Sequence, residues 1–226
     1  MIFIILYEIQ VFVEGDIDMR ILAHRGYWNS KVEKNSSDAI RNALENGYSF
    51  ESDVRDYMGK LVLSHNIADD SAMDAEKVFQ WLHEFDDAFC FAINIKADRL
   101  QDLLYNCLVK YDIDNYFTFD MSVPQMIEFR ERGIKYFTRL SEVEKEPCLY
   151  EDASGVWMDG FWSVNWITKD LIEGFMEDGK DVCLVSPELH GREYMPFWNM
   201  IREWEIDMDK LLLCTDFPDE AKEVFL

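Results

Sequence analysis

The sequence predicts a single α/β domain folded as a (β/α)8 barrel, and three observations carry that expectation. The chain has 226 residues, a length that one undivided barrel commonly fills. Short β-rich runs alternate with amphipathic, helix-like stretches, and eight of the former can be counted. Each run ends at or near a polar residue. Strands that alternate with helices pair in parallel, and eight such units suit a closed barrel better than an open sheet.

The strand-like runs are ILAHRG from Ile21, SFESDV from Ser49, FAINIK from Phe91 and YFTFD from Tyr116. They continue with KYFTRL from Lys135, GVWMDG from Gly155, DVCLVS from Asp181 and KLLLCTD from Lys210. Between them, Ser36 to Glu45 reads as a helix with polar residues at its start and Gly47 just past its end. Val123 to Arg132 carries Pro124 in its first turn and is followed by Gly133. Thr168 to Asp178 is followed by Gly179. The barrel is expected to span 20–226, behind an apolar extension over 1–19. That extension, MIFIILYEIQVFV at its start, lacks a basic leader region, is interrupted by Glu8 and is too short to span a bilayer comfortably. No stable membrane anchor is expected.

Lys plus Arg number 22 against 45 Asp plus Glu, a net charge of −23. Such a chain repels nucleic acid and anionic membrane surfaces. A phosphate ligand is still allowed where basic side chains or a metal collect. The cysteines, Cys90, Cys107, Cys148, Cys183 and Cys214, form no C-x-x-C pair, and three lie in apolar runs. Reduced thiols in a cytoplasmic protein are the simple reading.

In (β/α)8 barrels the reactive groups come from strand C-termini and the loops beyond them. Here those positions hold His24 and Arg25, Glu51 and Asp53, Asn94 and Lys96, Asp120, Arg139, Asp159, then Ser186 with Glu188 and His190, and Asp216. Glu51 and Asp53 are two apart on a strand, so both project to one side. Two carboxylates held together call for a cation, and hard oxygen donors suit Mg²⁺ or Ca²⁺. Asn94 and Lys96 repeat the spacing, and a lysine in an apolar strand needs an anionic partner. His24 and His65 both fall at the expected active end, where two imidazoles can act as general base and general acid. His83 reads as structural. Arg139, Asp159, Glu188 and His190 are candidate substrate contacts. Trp28, Trp162, Trp166 and Trp198 are candidates for stacking on a sugar, or for packing.

These motifs resemble the glycerophosphodiester phosphodiesterase family. The resemblance rests on AHRG at Ala23 to Gly26, NS at Asn35 and Ser36, and ESDV at Glu51 to Val54. It extends through SHN at Ser64 to Asn66, NIK at Asn94 to Lys96, and TDFP at Thr215 to Pro218, in order from about Arg20 to the C-terminus. It implies a (β/α)8 fold and metal-dependent hydrolysis of a small phosphodiester. It further implies that His24 and His65 form the acid–base pair, that Arg25 and Lys96 hold the phosphate, and that Glu51 and Asp53 ligate Mg²⁺, Ca²⁺ or Mn²⁺. Three positions depart from the family pattern. Asn94 stands where a Glu ligand is common, Lys34 stands where a Glu precedes the Asn, and Asn66 follows His65 where Asp is common. Asn94 and Asp120 are therefore possible further ligands. The segment after His65 is short, so the insertion that helps such enzymes recognise substrate is reduced. Two rival readings accompany the hydrolase: a catalytically silent barrel that binds a phosphorylated ligand, and a lyase that closes a cyclic phosphate.

Overall fold

The computed structural model describes residues 19–226. All but one residue of the expected N-terminal extension therefore lies outside the described residues. Eight parallel strands form the barrel: β1 (Arg20–His24), β2 (Ser49–Tyr57), β5 (Phe91–Ile95), β6 (Tyr116–Phe119), β7 (Phe137–Ser141), β8 (Gly155–Asp159), β9 (Asp181–Val185) and β10 (Leu211–Thr215). These are the eight runs read from the sequence. Pairing runs from β7 through β8, β9, β10, β1, β2 and β5 to β6. Between β6 and β7 it narrows to one parallel bridge, Thr118 with Tyr136. The sequence did not reveal a hairpin appended to β2. There β3 (Lys60–Leu63) pairs antiparallel with the far half of β2, and β4 (Met73–Asp74) pairs with β3.

Helices pack outside the ring: α1 (Ser37–Glu45), α2 (Glu76–Glu84), α3 (Gln101–Tyr111), α4 (Val123–Glu131), α5 (Lys169–Glu177), α6 (Met195–Arg202) and α7 (Pro218–Phe225). Three of them are capped at the start by a side chain. The side chains of Ser36, Ser122 and Thr168 accept hydrogen bonds from the Ala39, Gln125 and Leu171 amides, satisfying donors that the first helical turn leaves free. None of the described helices is long and apolar enough to cross a membrane.

Alternation along the strands explains where polarity collects. Leu22, Ala92, Phe117, Phe119, Phe137, Trp157, Cys183, Val185, Leu212 and Cys214 make one buried cluster, the filling of the barrel. Phe117 stacks on Phe137 at 3.8 Å and Phe119 on Trp157 at 3.7 Å between ring centroids. Two residues further along several of these strands, on the same face, come His24, Asn94, Arg139, Asp159 and Asp216. The interior is thus apolar at depth and polar at the mouth where the strands end. The buried cysteines belong to the filling, and burial pushes the Cys90 thiol up to about 12. All five cysteines are free. Trp198 is fully buried and donates from Nε1 to Ser186 Oγ at 2.8 Å, so it is core, whereas Trp162 is exposed.

One glycine fixes the start of the site. Gly26 has φ +89°, and a Cβ there would lie 2.7 Å from the Ala39 carbonyl carbon and oxygen. Only glycine lets the turn after β1 approach α1 this closely. We expect Gly26→Ala to destabilise the protein by at least about 2 kcal/mol, combining a left-handed penalty with overpacking. Urea unfolding of the two proteins checks this, and a loss under about 0.5 kcal/mol, the range of an ordinary surface change, would refute it.

Candidate active site at the mouth of the barrel

Glu51 and Asp53 are 1% and 0% exposed. Each is met by cations or donors from neighbouring strand ends. The Arg25 amide donates to Glu51 Oε2 at 3.1 Å. Arg25 Nε stands 2.8 Å from Asp53 Oδ2, an ion pair whose N–H is not aligned as a hydrogen bond. Lys96 Nζ lies 3.3 Å from Asp53 Oδ1 and 3.7 Å from Asp120. Asn35 locks the other side. Its Nδ2 donates to Asp53 Oδ2 at 2.8 Å, while its Oδ1 accepts from the Ser52 hydroxyl at 2.6 Å and the Asp53 amide at 3.2 Å.

His24 is oriented from behind. Its Nδ1 is 2.6 Å from Asp216 Oδ1, and its Nε2 faces Glu51 Oε2 at 3.8 Å. With Nδ1–H given to the carboxylate, the Nε2 lone pair points into the site. Burial holds the imidazole below its usual range against the opposing pull of Asp216, so it is neutral at neutral pH. Lys34 completes this group by donating to both oxygens of Asp216 at 2.9 Å. Its ammonium also sits 4.3 Å from the centroid of Trp28, and the indole donates to the His24 carbonyl at 2.9 Å. Sequence reasoning placed Asp216 at a strand end without a role and noted Lys34 only as a departure. Their contact spans 182 residues, and spacing along the chain carries no sign of it.

His65 is exposed on the loop after β3, and its Nδ1 lies 3.0 Å from Asn66 Oδ1. The neighbouring Ser64 amide donates to the Asp53 carbonyl at 3.0 Å, which fixes that loop beside β2. His65 and Arg25 line one cleft. Asp120 is committed to Arg139, at 2.7 Å, as well as to Lys96. Arg139 also binds Glu144. His190 Nε2 pairs with Asp159 at 2.7 Å and its ring stands edge-on to Phe161. Glu188 serves the fold: it accepts from the Thr215 hydroxyl at 2.6 Å and the Asp216 amide at 3.1 Å, and also binds Ser186. It thereby holds the end of β10.

Among the described residues no group of three or more His, Cys, Asp or Glu side chains is placed to hold a metal ion. The available set is two carboxylates and a carboxamide. Glu51 Oε1, Asp53 Oδ1 and Asn94 Oδ1 are buried oxygens that make no hydrogen bond, Asp53 Oδ1 facing only the Lys96 ammonium at 3.3 Å, and Asp53 pairs in register with Asn94. Three orphaned hard oxygens on adjacent strands fit a divalent cation of the Mg²⁺ or Ca²⁺ type, with less ligand charge than three carboxylates provide.

No family model and no curated protein matches the chain. Solved structures do match its shape. A Galdieria sulphuraria protein provisionally assigned as a glycerophosphodiester phosphodiesterase is 18% identical, with a TM-score of 0.71 over 92% of this chain and 97% of its own. A glycerophosphodiester phosphodiesterase from Parabacteroides distasonis is 17% identical, with a TM-score of 0.69 over 93% and 98%. A Ca²⁺-dependent phosphatidylinositol-specific phospholipase C from Streptomyces antibioticus is 9% identical, with a TM-score of 0.56 over 92% and 96%. The chain therefore has the barrel fold of the glycerophosphodiester phosphodiesterases, a fold that this phospholipase C resembles more distantly.

The buried pair makes stability depend on pH. Burial first, and repulsion from Asp53 second, push the Glu51 carboxyl from 4.5 to about 8. Between those values the folded state holds a proton that the unfolded state has released, so this group's contribution falls as pH rises. Without divalent ions, Glu51→Gln is expected to lose less stability than wild type between pH 5 and 9, read by urea unfolding. Parallel pH profiles for the two proteins would overturn the assignment.

Proposed function

We propose that the protein is a metal-dependent phosphodiesterase that hydrolyses a small glycerol- or sugar-linked phosphodiester by His24/His65 acid–base catalysis. The observation that carries this reading is the set of orphaned oxygens of Glu51, Asp53 and Asn94, flanked by Arg25 and Lys96 and faced by the free Nε2 of His24. A divalent ion on those oxygens would stabilise negative charge on a non-bridging phosphate oxygen. Arg25 and Lys96 already sit at the buried carboxylate and supply positive charge to the same oxygens of the substrate. His24, neutral and oriented by Asp216, is suited to take or deliver a proton at Nε2. His65, at the lip of the cleft, serves the opposite side of the phosphorus. Arg139, Asp159 and His190 are the candidates to contact the alcohol of the substrate. Five free thiols fit a cytoplasmic setting.

A second reading, a barrel that binds a phosphorylated ligand without turnover, is favoured by one observation: the absence of a third acidic ligand among the described residues. A screen of phosphodiesters with Mg²⁺, Ca²⁺ and Mn²⁺, read by product mass, separates the readings. Release of an alcohol and a phosphomonoester supports hydrolysis, a cyclic phosphate supports lyase chemistry, and no product with any metal supports binding alone.

On a verified substrate, His24→Ala and His65→Ala are each expected to lower turnover at least about a hundredfold with the fold intact. Near-normal turnover by either variant removes that histidine from the mechanism. Asn94→Glu is expected to tighten divalent-ion binding in titration calorimetry, because added ligand charge raises affinity and Asp120 is held elsewhere by Arg139. Unchanged affinity in that variant, or full activity in chelator, would refute the metal assignment.

A further inference from the structure

The cleft that opens from Arg25 is basic in a protein that is strongly acidic. It encloses about 780 Å³, and its charged lining is Arg25, Lys31, Lys34 and Lys77 against one carboxylate, Asp69. The chain as a whole has about two acidic residues for each basic one, so this lining reverses the local balance. Arg25 faces Asp53 and Lys34 faces Asp216. Lys31 and Lys77, both exposed, have no ion-pair partner among the described residues. Asp69 is turned to its own loop, accepting from the Ser71 amide at 2.9 Å and the Ser71 hydroxyl at 2.5 Å. The rest of the lining includes the end of β3 and the loop after it, from Leu63 to Ile67, and the start of α1, where Ser36 and Ser37 line the cleft. That end of a helix carries partial positive charge.

We infer that this cleft is a second anion subsite, and that the substrate is a small phosphodiester carrying a further phosphate or similar compact dianion. The diester half of this statement rests on the phosphodiesterase reading; the anion subsite does not. The diester phosphate would sit at Arg25 and the buried carboxylates, and the second anion would lie along the cleft between Lys31, Lys77 and the first turn of α1. Lysine ammonium groups are point charges that accept phosphate without demanding a planar fit. The size of the cleft and the surrounding field limit the ligand. Screening confines the attraction of these lysines to about 8 Å at physiological salt. Beyond that distance the body of the protein, at −23, repels an extended polyanion such as nucleic acid.

Binding is measured by titration calorimetry at fixed Mg²⁺, with fructose 1,6-bisphosphate and fructose 6-phosphate as probes of two and one phosphates. Wild type is expected to bind the bisphosphate at least about tenfold more tightly, a difference of 1.4 kcal/mol. The Lys31→Ala/Lys77→Ala variant is expected to lose that preference while binding the monophosphate as before. Both lysines are exposed, so the variant should keep its fold, which circular dichroism verifies. Equal affinity of wild type for the two probes, or an undiminished preference in the variant, overturns the subsite. The measurement needs no turnover, so a protein that hydrolyses no diester still passes or fails it independently.

Discussion

Glu51 and Asp53 are ionisable groups at 1% and 0% exposure in the narrowing mouth of a barrel. An isolated buried carboxylate costs several kcal/mol even after relaxation, and two of them on one face of one strand repel each other as well. The side chains around them answer that cost. Arg25 leaves β1 in a left-handed conformation, φ 60°, which turns its guanidinium onto Asp53 while its amide serves Glu51. Lys96 arrives from β5. Asn35, also left-handed at φ 60°, offers both ends of its carboxamide to the strip around Asp53, a backbone state that Asn tolerates better than most residues. Two loops, the one from β1 to α1 and the one after β5, are thereby fixed by one buried pair. Even so, one oxygen of each carboxylate makes no hydrogen bond, and the charge of Glu51 is suppressed by burial. The divalent ion proposed above would answer both.

The same constraint decides what the sequence could disclose. The strands are legible as short apolar, β-rich runs that alternate with helix-like stretches, and the carboxylate pair is legible because neighbours two apart share a face. The start of α1 is legible because Ser36 and its polar neighbours stand before it, whereas the caps Ser122 and Thr168 emerge only in the structure. The β3–β4 hairpin was harder to see. KLVL is a short run separated from β2 by Met58 and Gly59, and β4 has two residues, too few for any periodicity to register. The support of His24 was invisible for another reason. Asp216 and Lys34 come from opposite ends of the chain, and only closure of the barrel between β10 and β1 brings them together. Glu188 is a different case: it stands where a substrate contact is expected, and its oxygens accept from Ser186, Thr215 and the Asp216 backbone, partners that spacing along the chain does not announce.

The departures from the family motif share a sign. Asn94 and Asn66 each replace a carboxylate by a neutral amide, and Lys34 replaces a carboxylate by a cation. Each change makes the mouth more positive, in a chain whose other residues make it strongly negative. The three changes do different work. Lys34 is absorbed internally: it grips Asp216, so the carboxylate that orients His24 is itself neutralised and pulls the imidazole toward protonation less than a bare Asp216 would. Asn94 lowers the charge offered to a cation on β2 and β5, which leaves more of the local potential to Arg25 and Lys96. Asn66 removes a negative group beside His65, where the cleft opens. On the proposed reading, a mouth modified in this way would bind a metal less tightly and anions more tightly than one ringed by carboxylates. The basic lining along Lys31 and Lys77 continues that potential outward, so the proposed chemistry at β2 and the proposed anion subsite beside α1 would share a single electrostatic gradient.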